Sequence, residues 1–105
     1  MTRMGQPYTA GQWLALPGRA DDLVAAWSDF TAWSLKALPG ADSFVLVRHA
    51  AEPRRFLSVG VWSDVESVAA WRSSEGFRER LDRCRAPCEQ FEGHDYTVVA
   101  AQQRR

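Results

Sequence analysis

The sequence predicts an α+β fold in which four antiparallel strands form one sheet and the helices cover one of its faces. Three observations support this prediction: one long segment with helical periodicity, four segments with the apolar content of strands, and Pro-Gly pairs at 17–18 and 39–40. The resulting order is β-α-β-β-α-β, the split βαβ arrangement of ferredoxin-like folds. A single domain over residues 1–105 is expected, with its core at about 9–101.

The first helix is predicted at about residues 21–38, because apolar or small side chains recur there at spacings of three and four. The members of this stripe are Leu23, Trp27, Phe30, Ser34 and Leu38. Asp21 and Asp22 stand in the first turn, where a carboxylate interacts favourably with the positive end of the helix dipole. Pro39-Gly40 ends the helix.

The strands are predicted at about residues 9–16, 43–49, 55–62 and 91–101. Residues 50–54 are few enough to form a hairpin loop between the second and third strands. After the third strand, Ser63 and Glu66 have the spacing of a capping box, which predicts a short helix to about Trp71. Ser73-Ser74 interrupts it, and a further short helix is predicted to end at Arg85.

The predicted strands are apolar on both faces, whereas a sheet with one face in water alternates apolar and polar residues. The second strand shows this, with Phe44 and Leu46 on one face and Val45 and Val47 on the other. Helices on one side of the sheet cover only one of these faces. A second copy of the sheet is the simplest cover for the other, so we expect a homodimer, a dimeric α+β barrel.

Thirteen basic and thirteen acidic residues give a formal net charge of zero. Proteins that bind nucleic acid usually carry a basic excess, so no nucleic-acid partner is expected. No apolar run approaches the ~20 residues that span a bilayer, and residues 1–12 lack the apolar centre of a signal peptide. We therefore expect a cytoplasmic protein with no membrane partner.

Two cysteines, Cys84 and Cys88, are too few for a disulfide framework. A redox pair or a zinc site completed by His94 is the alternative, but zinc sites need more ligands than these. The preferred interpretation is one buried thiol and one thiol at a helix end, with no metal site.

The stretch from Arg55 to Ser67 (RFLSVGVWSDVES) is followed by Ala70-Trp71-Arg72 and Glu75-Gly76-Phe77. A strand that ends in Trp, a capped helix and a short helix with Phe at this spacing resemble the antibiotic biosynthesis monooxygenase domain. The step from Leu38-Pro39-Gly40 into the second strand also fits that family. The resemblance extends over roughly residues 9–101 and implies the same ferredoxin-like, dimeric fold.

Members of that family include cofactor-independent oxygenases that convert anthrone-like aromatic polyketides to quinones. The resemblance therefore implies a monooxygenase that oxidises an aromatic small molecule with O2 and uses no cofactor. Other members isomerise small acids or have no known activity, so the fold alone leaves the function open. The alternatives are a non-catalytic small-molecule-binding or structural dimer, and an isomerase or lyase acting on a small acid.

The haem-degrading branch of the family is similar to this chain in having a Trp at the position of Trp71. Ten residues later that branch has a haem-ligating His, where this chain has Leu81. That branch also uses an Asn on the first strand, and this sequence contains no Asn. Haem iron is not held without an axial ligand, so haem degradation is not expected.

Oxygenation without a metal or flavin requires a dry pocket that holds a flat ring, moves a proton and stabilises a developing oxyanion. Candidates for the catalytic roles are Trp62, Arg48, Trp71 and His49. Arg48 would bind an oxyanion if its side of the strand faces the helices, and His49 is a candidate base. A solvent-exposed position at the strand end is the alternative for both.

Candidates for the substrate-binding walls are Trp27, Phe30, Phe44, Phe56, Ser58 and Tyr96. Aromatic residues on a helix stripe fit a core as well as a pocket. Ser58 and Gly60 are small residues among large ones, so their side of the sheet should leave room for a ligand, although Gly60 also fits a bulge. Tyr96 would donate to a substrate oxygen or fill the sheet face, and Arg72 is a candidate for the pocket mouth.

Overall fold

The structure is a computed structural model that describes residues 3–104. Its elements are β1 (Pro7–Ala15), α1 (Ala20–Ala37), β2 (Ala41–Arg48), β3 (Arg55–Trp62), α2 (Val65–Ser73), α3 (Phe77–Arg85) and β4 (Cys88–Thr97). The predicted α+β class and ferredoxin-like order are confirmed, with the second helical region divided into α2 and α3. Residues 1, 2 and 105 of the predicted domain lie outside the described residues.

The four strands form one sheet in the order β2-β3-β1-β4, and each neighbouring pair is antiparallel. β3 follows β2 through a hairpin and lies beside β1, so the crossover through α1 joins two strands separated by β3. β1 and β3 run side by side from Tyr8 opposite Val61 to Leu14 opposite Arg55. This central pair forms the floor on which the helices pack.

The helix-facing side of the sheet is set by the alternation of each strand. In β1 the odd-numbered residues are buried, and in β3 Phe56 and Trp62 point to the same side. α1 covers this side with the predicted stripe, of which Leu23, Phe30 and Ser34 are buried. The core contains these side chains together with Trp13, Ala15, Leu38, Val68, Trp71 and Cys84.

The prediction of a Ser63 capping box is wrong by one residue. Asp64 is the N-cap of α2, and its Oδ1 accepts a hydrogen bond of 2.7 Å from the backbone N–H of Ser67. The Ser63 N–H is already engaged, because it donates to the Gly40 carbonyl at 2.8 Å. Asp and Ser are equivalent N-cap residues, so tertiary contacts decided between them.

The last strand begins three residues before the predicted position and ends before residue 101. Cys88 pairs with Ala15 after an irregularity in register at Leu14 and Ala15, which extends the strand towards α3. At the other end the strand stops at Thr97, opposite Pro7, and beyond it the Val98 N–H donates to the Gln6 carbonyl at 3.0 Å.

The second face of the sheet carries the other set of strand side chains, and no described helix packs on it. Its large apolar members are Val45, Val47, Leu57 and Tyr96, with exposed fractions of 51%, 47%, 41% and 52%. We call this surface the open face. None of the helices within residues 3–104 is long and apolar enough to cross a membrane.

Candidate functional site

A cavity of about 490 Å³ lies between the helix-facing side of the sheet and the three helices. Its floor is formed by the central strands and β4, and its walls by aromatic or apolar side chains of the helices. The main floor residues are Thr9, Gly11, Trp13, Ser58, Gly60, Phe91 and Gly93, and the main wall residues are Trp27, Phe30, Trp71, Phe77 and Leu81.

Two glycines of the cavity floor let neighbouring side chains pack directly against the strand backbone. A Cβ atom added to Gly60 would lie 2.6 Å from Thr9 Oγ1 and 2.8 Å from the Phe44 ring. A Cβ atom added to Gly11 would lie 2.8 Å from Ser58 Oγ and 2.9 Å from Trp13 Nε1. Such distances are shorter than van der Waals contact, so only glycine fits beside these neighbours.

The walls are aromatic rings held by one another. Phe30 stacks on Trp71 with ring centres 5.5 Å apart and planes 12° apart. Phe77 meets Trp71 edge-on at 4.8 Å, and on the floor Trp13 lies 4.2 Å from Phe91. Rigid, flat walls of this kind suit a planar ring ligand.

Three indole N–H groups around the cavity each donate to a hydroxyl oxygen. Trp62 Nε1 donates to Thr9 Oγ1 at 3.1 Å, and Trp13 Nε1 donates to Ser58 Oγ at 3.0 Å. The third, on Trp71, donates to Ser34 Oγ at 2.9 Å. The indoles therefore fix the positions of these hydroxyl oxygens and have no N–H left for a ligand.

The hydroxyl hydrogens of the three pairs are in different situations. The Ser34 hydroxyl donates to the Phe30 carbonyl at 2.8 Å. The nearest acceptor for the Ser58 hydroxyl is the Gly11 carbonyl, 3.5 Å away, and within residues 3–104 the Thr9 hydroxyl has no acceptor. In the cavity lining, Thr9 therefore retains an O–H donor, and the Ser58 O–H is engaged only through this long hydrogen bond.

Arg72 and Asp95 form a bidentate ion pair at the cavity, joining the end of α2 to β4. Arg72 Nη1 donates to Asp95 Oδ2 at 2.6 Å, and Nη2 donates to Oδ1. The hydrogen bonds from Arg72 lower the pKa of the Asp95 carboxyl, and the same bonds raise the pKa of Arg72. Both side chains are about half exposed, so the pair marks the mouth of the cavity.

The four predicted catalytic residues lie in different places. Trp71 lines the cavity, and Trp62 is fully buried behind Thr9. Arg48 faces the helices but lies over the Phe56 ring at 4.9 Å, beside a separate depression next to Trp27.

His49 lies in the hairpin loop after β2 and not in the cavity. Its Nδ1 accepts from the backbone N–H groups of Ala51 and Glu52, both at 3.0 Å, and its Nε2 is 3.6 Å from the Glu52 carboxylate. The ring therefore organises the loop, as a side chain that accepts backbone amides in a turn.

The predicted wall residues divide in the same way. Trp27, Phe30 and Ser58 line the cavity. Phe44 packs behind it, 5.7 Å from Trp62, and Phe56 lies under Arg48. Tyr96 pairs with Tyr8 across β1 and β4 and is on the open face, so its hydroxyl does not point into the cavity.

Four residues of the cavity lining were not predicted as site residues from the sequence: Thr9, Trp13, Phe91 and Asp95. The alternation of β1 contained a signal for two of them, because Thr9, Gly11 and Trp13 share the face of the buried Ala15. Asp95 had no local signal, since its partner Arg72 is 23 residues away in the chain.

The two cysteines are unpaired thiols outside the cavity lining. Cys84 is fully buried, and this burial raises its pKa to about 12. Cys88 is half-buried, with its Sγ 3.4 Å from the Cys84 carbonyl, and burial raises its pKa as well. Within residues 3–104 no group of three or more His, Cys, Asp or Glu side chains is arranged to hold a metal ion.

The sequence matches the profile of the antibiotic biosynthesis monooxygenase family over residues 10–83, which is more than half of the chain and includes most of the cavity lining. The chain belongs to this family. The resemblance inferred from the sequence is thereby confirmed. No curated protein is similar enough in sequence to count as a match.

Solved structures of the same fold extend over nearly the whole antibiotic biosynthesis monooxygenase domain. SnoaB from Streptomyces nogalater, a cofactor-independent oxygenase, is 15% identical with a TM-score of 0.86, over 95% of this chain and 99% of that one. A Bordetella bronchiseptica protein assigned provisionally to the same family is 21% identical with a TM-score of 0.78, over 91% and 99% of the two chains. A Shewanella oneidensis protein is 18% identical with a TM-score of 0.79, over 91% and 93%. Identities this low establish a common fold and not a common substrate.

Proposed function

We propose that this chain is a cofactor-independent monooxygenase that oxidises a flat, anthrone-like aromatic molecule with O2. The observation that carries the proposal is the Trp-walled cavity, whose lining includes two hydroxyl donors fixed by indole N–H groups. Family membership and the fold shared with SnoaB, itself a cofactor-independent oxygenase, support it.

The reaction needs no external reductant when the substrate supplies the electrons. A ring CH2 flanked by two aromatic rings and conjugated to a carbonyl forms an enolate on losing a proton. The enolate reduces O2, and the CH2 becomes a carbonyl as one oxygen atom enters the product and the other leaves in water. The protein has to hold the ring and stabilise the enolate oxygen as the carbon loses its proton.

Thr9 and Ser58 are the residues we assign to the enolate oxygen. An O–H group whose oxygen already accepts an indole N–H is a better donor, because hydrogen bonds in a chain polarise one another. Trp62 and Trp13 act through these hydroxyls, as positioning residues that fix Thr9 Oγ1 and Ser58 Oγ. Trp71 and Phe30 form a wall against which the ring would bind, and Trp27 belongs to the same wall.

Stabilisation of the oxyanion also supplies the driving force for proton removal. Asp95 is the carboxylate at the cavity, and its pKa is lowered by Arg72, so it is a weak base. Two hydroxyl donors on the enolate oxygen lower the pKa of the substrate CH2, which lets solvent at the mouth accept the proton. On this proposal the hydroxyl pair contributes more to the rate than any single base.

The geometry favours this function over the two alternatives. An isomerase or lyase acting on a small acid would need an arginine free to bind the acid, and the arginine of the cavity lining, Arg72, already binds the Asp95 carboxylate through two hydrogen bonds. A purely structural dimer would be expected to fill the space between helices and sheet, where this chain has a cavity of about 490 Å³.

We also propose that the enzyme is a cytoplasmic homodimer formed through the open face. Val45, Val47 and Leu57 on that face are each more than two fifths exposed in a single copy. A pair of copies related by two-fold symmetry would cover both open faces at once. The unpaired thiols Cys84 and Cys88 suit a reducing compartment.

Oxygen uptake by the metal-stripped protein with an anthrone, together with quinone formation, tests the proposal. Thr9→Val keeps the shape of the side chain and removes the hydroxyl, so kcat should fall by about 10- to 100-fold, the range for loss of an oxyanion donor. Thr9→Ser keeps the hydroxyl and should retain most of the activity. Ser73→Ala, at the exposed end of α2, is the matched control and should be unchanged.

Thr9→Val leaves the buried Trp62 N–H without an acceptor, so its fold is checked by circular dichroism and urea unfolding before its kinetics are compared. If Thr9→Val forms quinone as fast as the wild-type protein, Thr9 has no role in the mechanism. If anthrones quench tryptophan fluorescence on binding but no protein-dependent quinone forms, the chain is a binding protein and not a monooxygenase.

A further inference from the structure

We propose that Asp95 is a specificity-determining residue that makes the cavity selective for uncharged ring ligands and against aromatic carboxylates. This inference rests on the proposed function, since it concerns the molecule that enters the same cavity. It assigns a class of substrate: flat aromatics whose outer substituents are hydroxyl or carbonyl groups.

The first observation is the charge balance of the cavity. Arg72 and Asp95, one of each sign, form an ion pair in the cavity lining. The remaining ionisable lining residue, His94, places its Nε2 2.9 Å from the Glu92 carboxylate, which is itself outside the cavity lining. The mouth is therefore a neutral pair and offers no net attraction to an anion.

The second observation is that Asp95 already occupies the position that a ligand carboxylate would take. Two parallel N–H···O bonds from one guanidinium are the preferred geometry for binding a carboxylate. Arg72 makes these bonds to Asp95 through Nη1 and Nη2. A ligand carboxylate would have to displace Asp95, or lie next to a second negative charge, and both are unfavourable.

A neutral oxygen meets no such competition. A guanidinium has five N–H groups, and within residues 3–104 Arg72 uses two of them, both on Asp95. The other N–H groups can donate to a ligand carbonyl or hydroxyl while the ion pair stays intact. The Asp95 carboxylate can in turn accept from a ligand hydroxyl, so an uncharged phenol or ketone is accommodated at the mouth without breaking the pair.

The test compares two anthraquinones that differ by one carboxylate, 1,8-dihydroxyanthraquinone and 4,5-dihydroxyanthraquinone-2-carboxylate, as product-like probes in a tryptophan-quenching titration. The wild-type protein should bind the neutral probe more tightly. In Asp95→Asn the freed Arg72 should improve the affinity for the carboxylate by about three- to tenfold, with a change below about twofold for the neutral probe. The gain should shrink between about 0.05 M and 0.5 M salt, because the new pair is partly exposed.

Two further variants separate charge from shape. The double variant Arg72→Gln/Asp95→Asn keeps the mouth neutral and should lose the gain for the carboxylate. Glu89→Gln is the matched control: it also removes a carboxylate from a half-exposed arginine pair on β4, with Arg54 Nη1 at 2.8 Å, but outside the cavity lining. It should leave the ratio of the two affinities at the wild-type value.

The results separate this inference from the function on which it rests. If all variants bind the neutral probe but Asp95→Asn shows no gain in affinity for the carboxylate probe, the proposed role of Asp95 is overturned. The oxygenase proposal would then still stand. A wild-type protein that prefers the carboxylate would overturn the role of Asp95 as well. Failure of both probes to bind wild type and variants would instead overturn the ring-binding cavity itself.

Discussion

Both faces of the sheet carry apolar side chains, but helices cover only one of the two faces. On the helix-facing side, large aromatic rings surround a floor in which Gly11, Gly60 and Ser58 are small. On the open face, aliphatic side chains such as Val47 and Leu57 lie side by side on β2 and β3 and are exposed. The helix-facing side therefore contains a cavity within one copy, and the open face presents exposed apolar side chains.

The comparison shows that burial alone does not distinguish a site from an interface. The layer above each face does so: the three helices enclose a cavity of about 490 Å³ over the floor, and no helix within residues 3–104 packs on the open face. Hydrogen bonding adds a second difference, since the helix-facing side contains three indole–hydroxyl pairs. The helix-facing side is therefore suited to hold a small molecule, and the open face is suited to hold a second copy of the sheet.

The largest effect is expected on the stability of the helix-facing side, from the substitution Trp62→Ala. Trp62 is fully buried and contacts Phe44 and Trp71, so its removal leaves a large void in the core. The free energy of unfolding should fall by about 3–5 kcal/mol, measured by urea denaturation. Val65→Ala, at a 62% exposed position on α2, should change it by less than about 0.5 kcal/mol. Similar losses for the two variants would contradict the packing described for Trp62.

On the open face, Val47→Glu should dissociate the proposed dimer and leave the fold intact. An unpaired carboxylate in an apolar interface costs several kcal/mol to desolvate, so the dimer Kd should rise by roughly two orders of magnitude or more. Light scattering should then give the monomer mass of 11.8 kDa, with an unchanged circular dichroism spectrum. Leu35→Glu, at a similarly exposed position on α1, should remain dimeric. If the wild-type protein is monomeric at micromolar concentration, the proposed dimer is contradicted.

A smaller effect is expected from adding one methyl group to the cavity floor. In Gly60→Ala the new Cβ would press on Thr9 Oγ1 and the Phe44 ring, so the Trp62–Thr9 hydrogen bond should be displaced. Overpacking of this kind costs about 1–3 kcal/mol, and the oxygenase activity should fall with it. In Gly93→Ala the nearest atom would be 3.1 Å away, on the Phe91 ring, and we expect a smaller loss in both thermal unfolding and quinone formation. Equal effects at the two glycines would argue against Thr9 as the sensitive contact.

The smallest expected effect is the acid dependence of the Arg72–Asp95 pair. The pKa of Asp95 is lowered in the folded chain, so the pair stabilises the fold above the unfolded-state pKa of ~3.9, and this contribution is lost as the pH falls through the lower folded-state value. Because both side chains are about half exposed, it should be below about 1 kcal/mol. Urea unfolding of wild type and Asp95→Asn should differ at pH 7 and converge below about pH 4. A difference that persists at low pH would mean that Asp95 acts through packing and not through charge.

The sequence by itself determined the element order, the helix stripe from Leu23 to Leu38 and the two apolar faces of β2 and β3. These features follow from periodicity, which is local and survives small errors in element boundaries. The small residues Ser58 and Gly60 also indicated correctly which side of β3 has space, because they interrupt a run of large side chains.

Only the tertiary structure decided which of the candidate side chains meet at the cavity. Arg48 and His49 had suitable chemistry, but β2 lies at the edge of the sheet, away from the cavity between β1, β3 and β4. Arg72 found its partner in Asp95 because β4 returns beside β1, a contact between residues 23 positions apart. Periodicity specifies which face a side chain takes, whereas the strand order and the register between distant segments specify its neighbours, and a site is made of neighbours.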